Sequence, residues 1–103
     1  MERSPVSIKG AESLSDSQVI DALTQMPNES IYDGSRMAQP DEVWNYRRGD
    51  GFERALCLAN IWKARHPGEG IAITSRGGQA SIRLGSHEIV WETRKGLDRE
   101  IQL

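Results

Sequence analysis

The chain has 103 residues, of which 37% are hydrophobic and 27% are charged, as expected of a single globular domain. Thirteen basic against fifteen acidic residues give a net charge of -2, so no basic excess points to nucleic acid or an anionic membrane as a partner. The one cysteine, Cys57, cannot form an internal disulfide and fits a reducing compartment. Because no apolar run has signal-peptide or transmembrane length, we expect a cytoplasmic protein.

The N-terminal segment changes character near residue 14. Residues 1–13 are polar without a clear period, which predicts a flexible tail before a single domain over residues 14–103. Ser15 with Gln18 three positions later indicates a capping box. Apolar residues at helical spacing follow, so we predict a first helix over roughly residues 16–26.

Two further helices are predicted before the period changes. Pro40 opens the stretch PDEVWNY, which indicates a short helix with acidic residues in its first turn. Asp50 and Glu53 form a capping box at the start of the main helix, which a Pro-Gly pair ends after residue 66. Its apolar stripe comprises Phe52, Ala55, Leu56, Ala59 and Trp62, and its solvent side is predicted to comprise Arg54, Lys63 and Arg65.

The last third of the chain alternates with a period of two. The stretches GIAIT, QASIRL and HEIVWE predict three strands, the last two joined by a tight turn at Gly85-Ser86. The final stretch TRKGLDREIQL is compatible with a short strand or a frayed end. We therefore predict an α+β fold with N-terminal helices and one central helix packed on a three-stranded antiparallel meander.

Two side chains are candidates for catalysis, Cys57 and His87. A reactive thiolate needs a helix N-terminus or a cationic neighbour, whereas a cysteine between two leucines inside a helix is typical of a small buried hydrophobe. His87 opens a strand after a tight turn, where a base or a solvent-exposed side chain would both fit. No spacing suggests a metal site, and no glycine-bearing stretch matches a phosphate loop, so we expect no metal and no cofactor.

The stretch RRGDGFERALCLANIWKAR, followed by strands and then HEIVWE, resembles the core of the transglutaminase-like superfamily, which shares the fold of papain-type cysteine proteases. The resemblance covers roughly residues 40–98. It implies that Gly51 occupies the position of the nucleophilic cysteine, that His87 occupies that of the histidine, and that Asp98 is nearest to the third member. Glycine has no side chain, so this position cannot attack a carbonyl.

We therefore expect a non-catalytic transglutaminase-like domain that binds a protein or a peptide. Its groove would lie between the start of the main helix and the third strand, lined by Trp44, Tyr46, Arg48, Asp50, Gly51 and His87. One alternative is a small cysteine amidase or peptidase that uses Cys57 and His87. Another is a structural or accessory domain that oligomerises, and the sequence does not define the oligomeric state.

Overall fold

The computed structural model describes residues 5–30, 37–85, 87–95 and 98–103, with side chains in the first helix from Ile8 onward. Within these residues four helices precede four strands, which is the α+β class predicted from the sequence. The elements are α1 (Pro5–Gly10), α2 (Asp16–Gln25), α3 (Pro40–Tyr46), α4 (Gly51–Arg65), β1 (Ile71–Arg76), β2 (Gln79–Leu84), β3 (His87–Glu92) and β4 (Arg99–Gln102).

The strands form one antiparallel sheet in the order β3-β2-β1-β4. Apolar residues alternate along the strands, so one face of the sheet is apolar and the other is polar. Helix α4 contacts β1, β2 and β3 on the apolar side. A row of isoleucines crosses the whole sheet on this face and comprises Ile89, Ile82, Ile73 and Ile101.

The sheet has four strands, so the predicted three-stranded meander is incomplete. Strand β4 pairs with β1, where Ile101 lies opposite Ile73 and adds to the apolar face. Its four residues, REIQ, carry a weak strand signal on their own, and pairing with β1 supplies the order. Gly85 has a φ of 56°, as a tight hairpin turn requires, while Ser86 lies outside the described residues.

Part of the stretch predicted as a flexible tail forms a helix in the described residues. Helix α1 forms within the stretch 1–13, and Ala11 directly after it is fully buried. Gly10 lies so close to the Trp44 indole that an added Cβ would be 2.8 Å from Cδ1 of that ring. Contact with α3 and α4 therefore orders a stretch whose own sequence has little helical signal, and residues 1–4 lie outside the described part.

Helix α4 forms the centre of the core. It is buried on nearly every side from Gly51 to Trp62, because the sheet covers one side and α1, α2 and α3 contact the others. Its N-terminus and C-terminus therefore face different surroundings. Asp50 and Gly51 lie at its N-terminus, Cys57 lies in its middle, and His87 lies near its C-terminal end.

Candidate functional site

The start of α4 is held by the carboxylate of Asp50, the predicted N-cap. Its Oδ2 accepts from the Phe52 amide at 3.0 Å and from the Thr93 hydroxyl, and its Oδ1 accepts from the Arg94 amide at 2.6 Å. Asp50 is only 2% exposed. One side chain therefore caps the helix and binds the segment that follows β3, and both carboxylate oxygens are used within the chain.

Glu53 performs the same task for the segments on the other side. Its Oε1 accepts from the Asp50 amide at 2.9 Å, which completes the predicted capping box. Its Oε2 accepts from the Ala38 amide at 2.5 Å and from the Ser30 hydroxyl at 2.8 Å, and the residue is 0% exposed. A carboxylate with three donors and no access to solvent is a structural anchor rather than a general base.

Gly51, the position that the resemblance assigns to a nucleophile, has no room for a side chain. Its amide donates to Oδ1 of Asn28 at 2.8 Å. An added Cβ would overlap the carbonyl oxygen of Glu92 and would lie 3.2 Å from Cβ of Trp91. The end of β3 therefore packs directly on the first turn of α4, and glycine is required by this close approach.

Arg54, predicted on the solvent side of the helix, is buried instead. Its guanidinium donates to the Leu23 carbonyl at 3.0 Å and to Oδ1 of Asn28 at 3.1 Å, and it lies 5.2 Å from the ring centroid of Trp91. Burial lowers the pKa of Arg54, while the charge of Asp50 opposes that shift. The cation thus binds the negative C-terminal end of α2, a long-range partner that helical periodicity alone does not reveal.

His87 lies at the opposite end of α4 from Gly51. Its imidazole packs edge-on against the indole of Trp62, with ring centroids 5.6 Å apart. Trp91, which contacts Gly51, is four residues further along β3, a separation of about 13 Å in a strand. Helix α4 and β3 therefore run antiparallel, and the structure does not bring His87 together with Gly51 and Asp50.

Cys57 does not provide an alternative nucleophile. The residue is 0% exposed, and burial, with a smaller contribution from the charge of Asp41 that Arg47 opposes, raises the pKa of its thiol to about 12. The thiol is therefore protonated at neutral pH, whereas His87 is exposed at the surface. Their arrangement offers no activated thiolate to a substrate.

The remaining residues of the expected groove differ in burial. Trp44 is a core residue, covered by the Arg47 guanidinium 4.4 Å from its ring centroid. Tyr46 is 62% exposed at the end of α3, and Arg48 lies 4.0 Å from the carboxylate of Glu29. Of the six predicted binding residues, three are buried (Trp44, Asp50 and Gly51), Arg48 is half-buried, and Tyr46 and His87 are exposed. They do not line one groove, because His87 lies at the opposite end of α4 from Asp50 and Gly51.

A different surface, not identified from the sequence, lies at the edge of the sheet where no other strand of the described residues pairs with β3. Strand β3 is the terminal strand next to β2, and beyond it the Thr93 amide donates to the Gly78 carbonyl at 2.9 Å. In an antiparallel ladder, every second residue directs its backbone N–H and C=O groups to the neighbouring strand. The Thr93 bond and the register therefore identify the β3 residues whose backbone groups bond to β2. That set comprises His87, Ile89 and Trp91.

The intervening residues Glu88, Val90 and Glu92 direct their backbone N–H and C=O groups away from β2; we call this surface the β3 edge. Val90 is 49% exposed, and both glutamates are exposed. The edge is closed at one end, where the Glu92 carbonyl contacts Gly51. Alternation within HEIVWE is visible in the sequence, but the position of β3 at the edge depends on the strand order.

Among the described helices, none combines the length and apolar character needed to cross a bilayer. Within the same part of the chain, no group of three or more histidine, cysteine or carboxylate side chains is placed to hold a metal ion. Neither a protein-family model, nor a curated protein, nor a solved structure gives a significant match to this chain.

Proposed function

We propose that the protein is a non-catalytic binding module that takes up an extended segment of another protein along the β3 edge. The observation that carries the proposal is the backbone of Glu88 and Val90, which points away from β2 and has no other described strand beside it, together with the half-exposed side chain of Val90. Addition of a strand to a sheet edge is a common way to bind peptides, because the main chain supplies hydrogen bonds without requiring a deep pocket.

The start of α4 supports binding over catalysis. Asp50 and Glu53 are buried and fully engaged with donors of the chain, and Gly51 is closed by Glu92. The expected peptide-binding role is therefore proposed for the β3 edge and not for the start of α4. The resemblance to transglutaminase-like domains then rests on the sequence alone, since His87 lies far from the position expected of a catalytic partner.

The β3 edge is also rigid enough to act as a template. Its strand is held by β2 through six residue pairs, and Ile89 and Trp91 anchor its inner face in the core. Trp91 is fixed further by a hydrogen bond of 3.2 Å from its indole nitrogen to the Thr24 hydroxyl. A preorganised edge loses little conformational freedom when a strand is added, which favours binding. We place this activity in the cytoplasm, in keeping with the single reduced cysteine.

The test is selection of a random peptide library against the immobilised protein, followed by binding to two variants. Val90→Pro removes the outward N–H of Val90 without removing a bond to β2, a substitution that edge strands tolerate. Val90→Thr keeps this N–H and serves as the matched control. We expect selected peptides to bind the wild type and Val90→Thr and to lose at least about tenfold in affinity for Val90→Pro. Equal binding to both variants, or no selected peptide, would contradict the proposal.

A further inference from the structure

We infer that the segment bound at the β3 edge is basic, with Lys or Arg two residues to either side of an apolar residue. This inference rests on the proposed function and specifies its partner. It follows from the residues whose backbone groups point outward, because the same residues place their side chains on the polar face of the sheet. A strand paired with the backbone of Glu88 and Val90 would therefore place alternate side chains next to these two residues, and its following residue beside the exposed side chain of Glu92.

The charge of these neighbours is negative. Glu88 has a side chain that is 52% exposed, and Arg83 donates twice to its Oε2, at 3.0 and 3.3 Å. Both described bonds use the same oxygen, Oε2. Glu92 is exposed and lies opposite the neutral Gln79. Opposite charges on neighbouring strands stabilise pairing and like charges oppose it, so the edge selects a cationic strand.

The central position calls for an apolar partner. Val90 lies between the two glutamates on the same face, and its neighbour on β2 is Ser81, whose small side chain leaves the valine half exposed. An apolar side chain opposite Val90 would cover it. The complete recognition pattern is thus a basic residue, any residue, an apolar residue, any residue and a basic residue.

The same charges disfavour a second copy of this chain as the occupant. An antiparallel pair of β3 strands that uses all three outward-facing residues would be centred on Val90. In that register each Glu88 would lie opposite Glu92 of the second copy, so two like-charge contacts would form. The edge is in this way protected from self-association while it remains open to a basic strand.

The experiment titrates the isotopically labelled full chain with two synthetic peptides, acetyl-TKTVTKT-amide and acetyl-TETVTET-amide, and follows the backbone amides by NMR at low salt. We expect the basic peptide to shift the amide signals of Glu88, Val90 and Glu92 and to bind about tenfold more tightly than the acidic one. Added salt should reduce this preference. Replacing both glutamates, in Glu88→Gln/Glu92→Gln, should abolish it, and Glu92→Lys should shift it toward the acidic peptide.

The results of these titrations distinguish failure of the basic specificity from failure of strand addition itself. If both peptides bind equally, or the acidic one binds better, and Val90→Pro blocks both, the basic specificity is wrong while strand addition stands. If neither peptide moves the β3 signals and the peptide library also yields no binder, the proposed function itself is wrong. A preference that persists in Glu88→Gln/Glu92→Gln, with a wild-type pattern of amide signals elsewhere, would place the charge recognition on other residues and overturn the inference.

Discussion

The imidazole of His87 and the indole of Trp62 pack edge to face, with ring centroids 5.6 Å apart. This contact places the strand-opening histidine beside the C-terminal half of α4, whereas the resemblance requires it beside the N-terminus. His66, the helix C-cap, lies tilted against the same indole, with ring centroids 4.8 Å apart. The two histidines therefore line the end of the helix that is remote from Gly51, and they form no part of a cysteine-histidine site.

The closeness of β3 to Gly51 predicts that Gly51→Ala destabilises the fold. The new methyl group would overlap the Glu92 carbonyl oxygen and approach its carbon to 2.8 Å, so the end of β3 must move. We expect a loss of about 2 kcal/mol or more in the free energy of unfolding, although alanine favours helices. Unfolding of the wild type and of Gly51→Ala in urea measures this difference in the free energy of unfolding.

Gly68→Ala is the matched control for that experiment, since an added Cβ there meets nothing within 4 Å. It should change stability by less than about 0.5 kcal/mol. If Gly51→Ala is as stable as Gly68→Ala, the packing of β3 on the first turn of α4 is incorrect.

Because Asp50 both caps α4 and binds the segment after β3, removing its carboxylate should lower the free energy of unfolding by more than the loss of an ordinary helix cap. Asp50→Ala removes the acceptor for Phe52 and also leaves the Arg94 amide and the Thr93 hydroxyl without their carboxylate. We expect a loss of about 2–3 kcal/mol by urea unfolding, against about 1 kcal/mol for an ordinary cap. Asp21→Ala, at an exposed position of α2, is the control and should be nearly neutral. A loss for Asp50→Ala no greater than that of the control would show that the carboxylate does not join these segments.

Burial of Cys57 predicts that its thiol is unreactive in the folded protein. With the pKa of the thiol raised to about 12, the thiolate fraction at pH 8 is roughly one in ten thousand, and the side chain is also inaccessible. A chromogenic disulfide reagent should therefore label the cysteine only after a denaturant is added. Rapid labelling of the native chain would reopen the enzymatic alternative.

The contact between Asp16 and the C-terminus of α4 predicts a loss of stability in acid. Burial raises the pKa of Asp16, but hydrogen bonds and charges from His66 and Arg65 outweigh it and lower the pKa below 3.8. The bonds measure 2.9 Å to His66 and 3.0 Å to Arg65. Because the pKa of Asp16 is lower in the folded state, its contribution to the free energy of unfolding is complete above the pKa of the unfolded state. This contribution is lost as the pH falls through the pKa of the folded state.

Unfolding of the wild type and of Asp16→Asn in urea at several pH values tests whether the stabilisation by Asp16 is lost in acid. The wild type should be more stable at pH 7, and the difference should shrink as the pH is lowered through the pKa of Asp16 in the folded state. Asp21→Asn provides an exposed control on the same helix. A difference that is constant over this range would show that the ionised carboxylate of Asp16 is not what stabilises the contact.

The local features of the fold could be predicted because their causes lie within a few residues. The capping boxes of Ser15 with Gln18 and of Asp50 with Glu53 are confirmed, and so is the end of the main helix at residue 66; Gly85 has the positive φ that the predicted tight turn requires. Each depends on hydrogen bonds or steric limits that act over three or four positions.

The missed features depend on partners far away in the chain. Arg54 is buried because the C-terminal carbonyls of α2 and the Trp91 ring surround it, and helical periodicity places it on the solvent side. Strand β4 depends on β1, and the antiparallel course of α4 and β3 decides that His87 lies far from Gly51. No spacing within the sequence encodes these relations.

The most direct test of the central claim is amide hydrogen exchange along β3, first in the free protein and then with a peptide selected by the library. Ile89 and Trp91 bond to β2, while Val90 faces outward. In the free protein, we predict that the Val90 amide exchanges at least about a hundredfold faster than its two neighbours. It should become protected when the peptide binds. Protection of Val90 equal to that of Ile89 in the free protein, or no change on binding, would contradict the account.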